Sequence, residues 1–108
     1  MLAITSKDQF MTEISNGLVL VDFYADWCGP CQMLSPVLQQ LSDEFWAQGL
    51  QVLKVNVDEN PDLSAEYGVM SIPTVILFHQ GGQVERWTGA YPKEVYQEKI
   101  NALLAAGN

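Results

Sequence analysis

Cys28 and Cys31 are the only cysteines of the 108-residue chain, and they lie three positions apart. On a helix, side chains three apart face each other with their Cβ atoms about 5 to 6 Å apart. A disulfide accepts Cα separations close to this distance. The spacing therefore predicts a pair that can open to a dithiol and close to a disulfide with little backbone motion, which is the chemistry of disulfide exchange.

A structural cross-link and a metal site are the two other roles open to these cysteines. A ring of four residues restricts the unfolded chain so little that the cross-link would stabilise the protein by only about 2 kcal/mol. A structural zinc site needs four ligands, whereas the chain has no further cysteine and a single histidine, His79. Its apolar surroundings favour an ordinary residue at the end of a strand. The sequence therefore predicts no bound metal or cofactor, only a redox-active disulfide.

The position of Cys28 assigns different roles to the two sulfurs. Cys28 lies where an apolar strand is predicted to end and a helix to begin, so its sulfur meets free amide groups and the positive end of the helix dipole. Both favour the thiolate, which is the form that attacks a disulfide. We expect Cys28 to be the nucleophile and Cys31, one turn deeper, to resolve the mixed disulfide.

Asp22 is the single charge in the apolar run of residues 18–25, six positions before Cys28. Burial disfavours a charged carboxylate and raises its pKa, which suits a general base for Cys31 near neutral pH. An aspartate satisfied by local hydrogen bonds is the alternative, and the residues by themselves leave both open.

The elements that must position these residues follow from hydrophobic periodicity. Residues 18–25 are apolar on both alternating faces, as in a strand covered by helices on each side. Ser6 and Gln9 have the form of a capping box for a first helix, and a longer helix follows the cysteines as far as Gly49. The predicted order is β-α-β-α-β-α-β-β-α. It indicates an α/β fold with a mixed five-stranded central sheet flanked by about four helices, in one domain of residues 1–108.

Charge and hydropathy exclude several classes of partner. The net charge of −8, with only five lysines and arginines, is opposite to what nucleic acids or anionic membranes attract. The first residues turn polar too early for a secretory signal, and no apolar run reaches the 18 or more residues of a membrane span. We expect a monomeric, cytoplasmic protein.

Several segments resemble landmarks of the thioredoxin family. The run from Val21 to Cys31 resembles the family's active-site segment, and the tetrapeptides starting at Asp58 and Ser71, together with the dipeptide Gly89-Ala90, follow in the family's order. The resemblance covers nearly the whole chain. It implies the thioredoxin fold and a general protein-disulfide reductase that acts on disulfide-containing target proteins and is recharged by thioredoxin reductase and NADPH.

The resemblance also implies roles for further residues. It favours catalysis by Asp22 and places Lys54 beside it as an electrostatic modulator, although the sequence alone presents Lys54 as a polar interruption of a strand. It implies a cis peptide bond before Pro73, with the backbone of Ser71 and Ile72 free to pair with an extended target segment. The expected apolar surface around the cysteines consists of Trp27, Gly29, Pro30, Ile72, Pro73, Gly89 and Ala90.

Two departures from the family pattern concern packing. Tyr24 stands where many relatives have tryptophan, and Tyr91-Pro92 replaces the polar residue that commonly caps the last helix. These departures put in doubt the packing beneath the site and the start of that helix.

The remaining large apolar side chains divide between contact and packing. Trp27, beside Cys28, is expected to be partly exposed at a contact surface. Packing roles are expected for Trp46, Trp87, Met33 and Met70.

Two rival functions remain. One is a protein-binding module in which the cysteines are incidental, and the other is a disulfide oxidant or isomerase. Gly29-Pro30 between the cysteines and the missing signal both favour the reductant.

Overall fold

The computed structural model describes residues 1–106, and its elements follow the predicted order. They are β1 (Leu2–Ala3), α1 (Lys7–Ile14), β2 (Leu18–Tyr24), α2 (Gly29–Phe45), β3 (Leu50–Asn56), α3 (Pro61–Glu66), β4 (Thr74–His79), β5 (Gly82–Thr88) and α4 (Lys93–Ala105). A 3₁₀ turn, Trp46–Gln48, continues α2. Within this described part of the chain, no helix has the length and apolarity needed to cross a membrane.

The five strands form one mixed sheet in the order β1-β3-β2-β4-β5. Strands β1 and β2 both run parallel to β3, whereas β4 runs antiparallel to β2 and β5 antiparallel to β4. The register places Asp22 opposite Lys54 and Tyr24 opposite Asn56. Because parallel strands end at the same edge of a sheet, the cysteines that follow β2 lie at the carboxyl edge of β2 and β3.

Strand β2 is buried on both faces, as its apolar residues at alternating positions predicted. Successive side chains of a strand point to opposite faces. Val19, Val21 and Phe23 therefore join one apolar cluster, and Leu18 and Leu20 join another.

We call the two sides of the sheet the α1/α3 face and the α2/α4 face. The α1/α3 face packs Ile4, Phe10, Ile14, Val19, Val21, Phe23, Leu53, Val55, Leu63, Ile76 and Phe78. The α2/α4 face packs Leu18, Leu20, Leu34, Leu38, Leu41, Phe45, Leu50, Val52, Val75, Leu77, Trp87, Tyr96 and Ile100. By alternation along their strands, Asp22 and Lys54 belong to the α2/α4 face.

Helix ends agree with the predicted caps, with one difference of detail. The Ser6 hydroxyl accepts a hydrogen bond from the Gln9 amide at 3.1 Å, but the Gln9 side chain accepts from the backbone N–H of Thr5 instead of that of Ser6. Gly49 ends the α2 segment in the left-handed conformation, with φ of 104°. Pro92 occupies the N-cap position of α4 and provides no side-chain hydrogen bond, where the family commonly has a polar capping residue.

A tight hairpin turn joins the antiparallel strands β4 and β5. Gln80 and Gly81 both have positive φ, 52° and 87°, which is the conformation of the tight turn that matches strand twist. The Gln80 amide donates to the Gly17 carbonyl at 2.9 Å. This contact lies at the end of β2 opposite the cysteines, so the hairpin stabilises the sheet far from the redox pair.

Candidate redox site

Cys28 and Cys31 form a disulfide at the start of α2, with their Cα atoms 5.2 Å apart. Cys28 is the N-cap residue, extended in backbone conformation, and its sulfur accepts a hydrogen bond from the Cys31 amide at 3.2 Å. That amide is one of the free donors at a helix N-terminus. The same donor and the helix dipole are available to stabilise a Cys28 thiolate when the disulfide is reduced.

The segment before β4 approaches the disulfide with its backbone. The Ile72–Pro73 peptide bond is cis, and the Ile72 carbonyl oxygen lies 3.9 Å from the Cys28 sulfur. The Ser71 carbonyl accepts a hydrogen bond from the Thr74 hydroxyl at 2.6 Å. Of the two residues whose backbone was expected to be free, Ile72 therefore presents its carbonyl to the disulfide, whereas the Ser71 carbonyl is already hydrogen-bonded within the chain.

Pro73 was expected to form part of the apolar surface around the cysteines. The residue is buried, and its carbonyl accepts from the Gly89 amide at 2.7 Å. This bond brings the loop that carries Gly89 and the exposed Ala90 next to the cis peptide. Pro73 therefore shapes the surface through its backbone, which holds the loop of Gly89 in place.

Trp27 is 71% exposed, in agreement with its expected place at a contact surface. Its indole N–H donates to the Asp58 carboxylate at 2.8 Å, which restrains the ring beside the cysteines. A shallow groove next to it is lined by Trp27, Val57, Val69, Met70, Ser71 and Ile72. On the other side of the disulfide, Gly29 and Pro30 are exposed in the first turn of α2.

Three apolar side chains predicted to pack inside the protein are exposed instead. Met70 is 95% exposed, Met33 77% and Trp46 68%, whereas Trp87 is buried as predicted. Hydrophobicity alone does not distinguish a residue in the core from one on a contact surface. For Met70 a signal was present, because it immediately precedes Ser71 in the segment expected to meet targets.

Asp22 lies completely buried beneath the redox pair. Within residues 1–106, neither of its carboxylate oxygens has a hydrogen-bond partner of good geometry. Its neighbour is the Lys54 ammonium, 3.5 Å from one oxygen. Burial raises the pKa of the Asp22 carboxyl from 3.8 to about 6, and Lys54 opposes that rise.

Lys54 connects Asp22 to a cavity that reaches Cys31. The cavity has a volume of about 180 Å³ and is lined by Tyr24, Ala25, Asp26, Cys31, Gln32, Ser35 and Lys54. The Lys54 ammonium also lies over the Tyr24 ring, 4.1 Å from its centroid. Because Asp26 and Gln32 are exposed, water can enter this cavity from the surface and reach both Lys54 and Cys31.

No group of three or more His, Cys, Asp or Glu side chains suited to hold a metal ion occurs in residues 1–106. His79 ends β4, the ordinary position that the sequence suggested for it.

Comparison with known proteins identifies the family. The family model named Thioredoxin matches residues 1–102. The thioredoxin of Bacillus subtilis (strain 168) is 46% identical over 105 residues, which cover 96% of this chain and 100% of the relative. The thioredoxin of Chlorobaculum thiosulfatiphilum is 47% identical over 94 residues, covering 85% of this chain and 86% of the relative.

Solved structures give the same result. A mutant thioredoxin from Halobacterium salinarum NRC-1 has a TM-score of 0.87 and 40% identity, covering 94% of this chain and 88% of that one. Oxidised mitochondrial thioredoxin 3 from Saccharomyces cerevisiae has a TM-score of 0.85 and 31% identity, covering 94% of both chains. From the fold, the Cys28–Cys31 disulfide and the family match, we conclude that this chain belongs to the thioredoxin family and is a protein-disulfide oxidoreductase.

Proposed function

We propose that this protein is a general reductant of protein disulfides that cycles between a Cys28/Cys31 dithiol and the disulfide described above. The observation that carries the proposal is the position of the Cys28 sulfur at the N-terminus of α2. There it accepts the Cys31 amide N–H and lies beside the Ile72 carbonyl and an exposed apolar surface. These features support attack on a disulfide within an extended polypeptide.

In the first step, the Cys28 thiolate attacks one sulfur of a target disulfide. The Cys28–target bond forms, the target's own sulfur–sulfur bond breaks, and one target sulfur leaves as a thiolate that takes a proton from solvent. The Cys31 amide and the dipole of α2 lower the free energy of the attacking thiolate. Trp27 and Met70 supply apolar contact area for the target.

In the second step, the Cys31 thiol loses its proton and attacks the Cys28 sulfur. The mixed disulfide breaks, the second target sulfur leaves as a thiolate, and two electrons have passed from the dithiol to the target. Asp22 is the proposed proton acceptor, because Cys31 and Lys54 line the same cavity and Lys54 contacts the Asp22 carboxylate. Its raised pKa of about 6 suits this role near neutral pH, and Lys54 modulates it.

Docking of the target is proposed to use backbone pairing as well as apolar contact. The Ile72 carbonyl faces the disulfide, and an extended segment aligned with it can add a short strand to this edge. The surrounding surface is mostly apolar and discriminates little between target side chains. It is formed by Trp27, Gly29, Pro30, Met70 and Ala90. Such a mode of binding fits a reductant that accepts many proteins.

The oxidised protein must receive two electrons before it can act again. We infer that a thioredoxin reductase supplies them from NADPH, and that the protein works as a cytoplasmic monomer without a bound cofactor. Membership in the family supports this assignment. The net charge of −8 agrees with partners that present basic surfaces.

The experiment that tests the proposal combines cysteine variants with a redox titration. Cys28→Ser should abolish reduction of a disulfide-containing model protein by thioredoxin reductase and NADPH. Cys31→Ser should instead trap a mixed disulfide, visible as a larger band on a non-reducing gel. Gln39→Ala, an exposed change further along α2, serves as the matched control and should retain full activity.

Equilibration of the protein with a glutathione series then decides the direction of electron flow. A potential more reducing than the cytosolic glutathione pool supports the reductant. A more oxidising potential overturns it in favour of an oxidant or isomerase.

A further inference from the structure

We propose that Tyr24 is a positioning residue whose ring holds the Lys54 ammonium against Asp22 and so sets the pH range in which Asp22 is charged. The proposal rests on the proposed function, in which Asp22 accepts the proton of Cys31. It assigns a task to one of the two positions at which the chain departs from the common family pattern.

The three side chains come together because of strand geometry. Asp22 and Tyr24 are two residues apart on β2 and so point to the same face of the sheet. Lys54 lies directly opposite Asp22 in the parallel register of β2 and β3. Its ammonium is 3.5 Å from an Asp22 oxygen and 4.1 Å from the centre of the Tyr24 ring. One cation therefore contacts both neighbours at once.

The Lys54 ammonium has a second position available to it. Its side chain lines the cavity that opens past Tyr24, and the exposed carboxylate of Asp26 lines the same cavity. The lysine stem is long and flexible, so its ammonium is free to move unless something retains it. The face of an aromatic ring attracts a cation, and more strongly where water is partly excluded. The Tyr24 ring therefore favours the position beside Asp22 over the position in the cavity.

The phenol itself stays uncharged in the working pH range. Burial raises the pKa of the Tyr24 hydroxyl, and the nearby Asp26 carboxylate adds to the rise. The ring consequently acts on Lys54 as a neutral aromatic face. It adds no negative charge that would compete with Asp22.

Among residues 1–106, Lys54 is the cation that contacts Asp22, and the other groups that face the carboxylate carry no positive charge. From α4 the Tyr96 hydroxyl interacts with the carboxylate, and its pKa is raised chiefly by burial. From β4 the partner of Asp22 is the apolar Val75. On the side of α2, Cys31 is in the disulfide and does not titrate in the oxidised protein. Loss of the Lys54 contact therefore leaves the desolvated carboxylate without compensation.

The first measurement is the titration midpoint of Asp22 in the oxidised protein, followed through its carboxyl carbon by NMR. Tyr24→Leu should raise the midpoint by about half a pH unit, equal to about a threefold change in the proton-binding constant. Tyr24→Phe and Tyr24→Trp keep an aromatic face and should leave the midpoint within about 0.2 units of its starting value. Tyr24→Met, a flexible apolar filler, replaces the leucine variant if that one fails to fold.

A double-mutant cycle with Lys54→Met distinguishes positioning from a general change in packing. In the Lys54→Met background, loss of the Tyr24 ring should no longer move the Asp22 midpoint, because the cation it held is gone. An equal shift in both backgrounds would overturn the proposal, since it would mean that Tyr24 acts through burial of Asp22. A midpoint unchanged in Tyr24→Leu, or one that moves equally in Tyr24→Phe, would overturn it as well.

The pH dependence of the second exchange step separates this inference from the function on which it rests. The release of target from a preformed Cys28 mixed disulfide is followed by rapid quench between pH 5 and 9. If the rate profile moves with the Asp22 midpoint, both the positioning by Tyr24 and the base role of Asp22 are supported. If the midpoint moves and the rate profile does not, the positioning stands and the base role of Asp22 fails.

Discussion

The two faces of the sheet differ in what lies between the strands and their helices. On the α1/α3 face, β3 begins with Gln51, but beyond it the side chains of β2 and β3 are apolar as far as the carboxyl edge, ending with Phe23 and Val55. On the α2/α4 face the same strands begin with leucine and valine, and Asp22 and Lys54 follow before the last residues, Tyr24 and Asn56. One strand thus contributes to an apolar layer on one side and buries a charged group on the other.

The difference shows that burial stabilises the protein on the α1/α3 face but lowers its stability at Asp22, on the face that carries the redox site. Phe10 on the α1/α3 face is fully buried and its ring packs against Phe23, Tyr67 and Phe78. Asp22 is equally buried, but its carboxylate has lost water without gaining hydrogen bonds among residues 1–106. A pKa raised from 3.8 to about 6 corresponds to a destabilisation of about 3 kcal/mol above pH 6. That destabilised group lies under the end of α2 that carries the cysteines.

The largest expected effect is on the apolar face. Phe10→Ala should lower the free energy of unfolding by about 3 to 5 kcal/mol, because it removes a buried ring and leaves a cavity among aromatic neighbours. Since no titratable group is involved, the loss should be the same at pH 4 and pH 8 in urea unfolding. The redox potential of the folded variant should not change. A loss that depends strongly on pH, or a shifted potential, would contradict a purely structural role for this face.

Asp22→Asn, on the α2/α4 face, should raise the free energy of unfolding instead of lowering it. The folded-state pKa of Asp22 lies above its unfolded value, so the native protein binds more protons and its stability falls as pH rises from about 4 through 6. The asparagine variant avoids this loss and should be more stable than the parent by up to about 3 kcal/mol at pH 8. Below pH 4 the two should be equally stable.

Urea unfolding at both pH values checks this expectation, with Asp43→Asn on the exposed surface of α2 as the control. Equal stability of Asp22→Asn and the parent protein at pH 8 would show that burial of the carboxylate is not costly. The same variant should also slow the release of target from the Cys28 mixed disulfide at neutral pH, because the proposed proton acceptor is gone.

The smallest expected effect on stability concerns the N-cap of α1, the helix that packs Phe10 and Ile14 on the α1/α3 face. Ser6→Ala removes the hydroxyl that accepts the Gln9 amide at 3.1 Å and should cost about 1 kcal/mol of stability. Ser6→Thr keeps a hydroxyl at this position and should retain most of the stability that the serine cap provides. Disulfide exchange should be unaffected by either change, and a measurable change in its rate would mean that the two faces are coupled more closely than their contacts suggest.

Much of the fold could be predicted because each element carries its own local signal. The apolar residues on both faces of β2 and the capping serine of α1 are signals within a few residues, and both elements are observed. Cys28 and Cys31 were recognisable for the same reason, since three residues on a helix determine whether two sulfurs can meet. The family resemblance added the cis bond before Pro73, which no local propensity would have selected.

The errors have a common cause. Met33, Met70 and Trp46 were expected to pack inside the protein, but all three side chains are exposed. Hydrophobicity shows that a side chain prefers to leave water, but whether another layer covers it depends on distant segments. Met70, for example, stays uncovered in the groove beside Trp27 and Ile72.

By itself, the sequence determined the order of the elements, the redox pair and the unusual charge in a buried strand, because all three depend on neighbours within a few positions. Only the tertiary structure decided what surrounds that charge. Lys54 meets Asp22 through the register of two parallel strands that lie 32 residues apart in sequence, and Tyr24 and the cavity to Cys31 complete the arrangement. Electrostatic energy depends on distance and on exclusion of water, and both are properties of the folded chain.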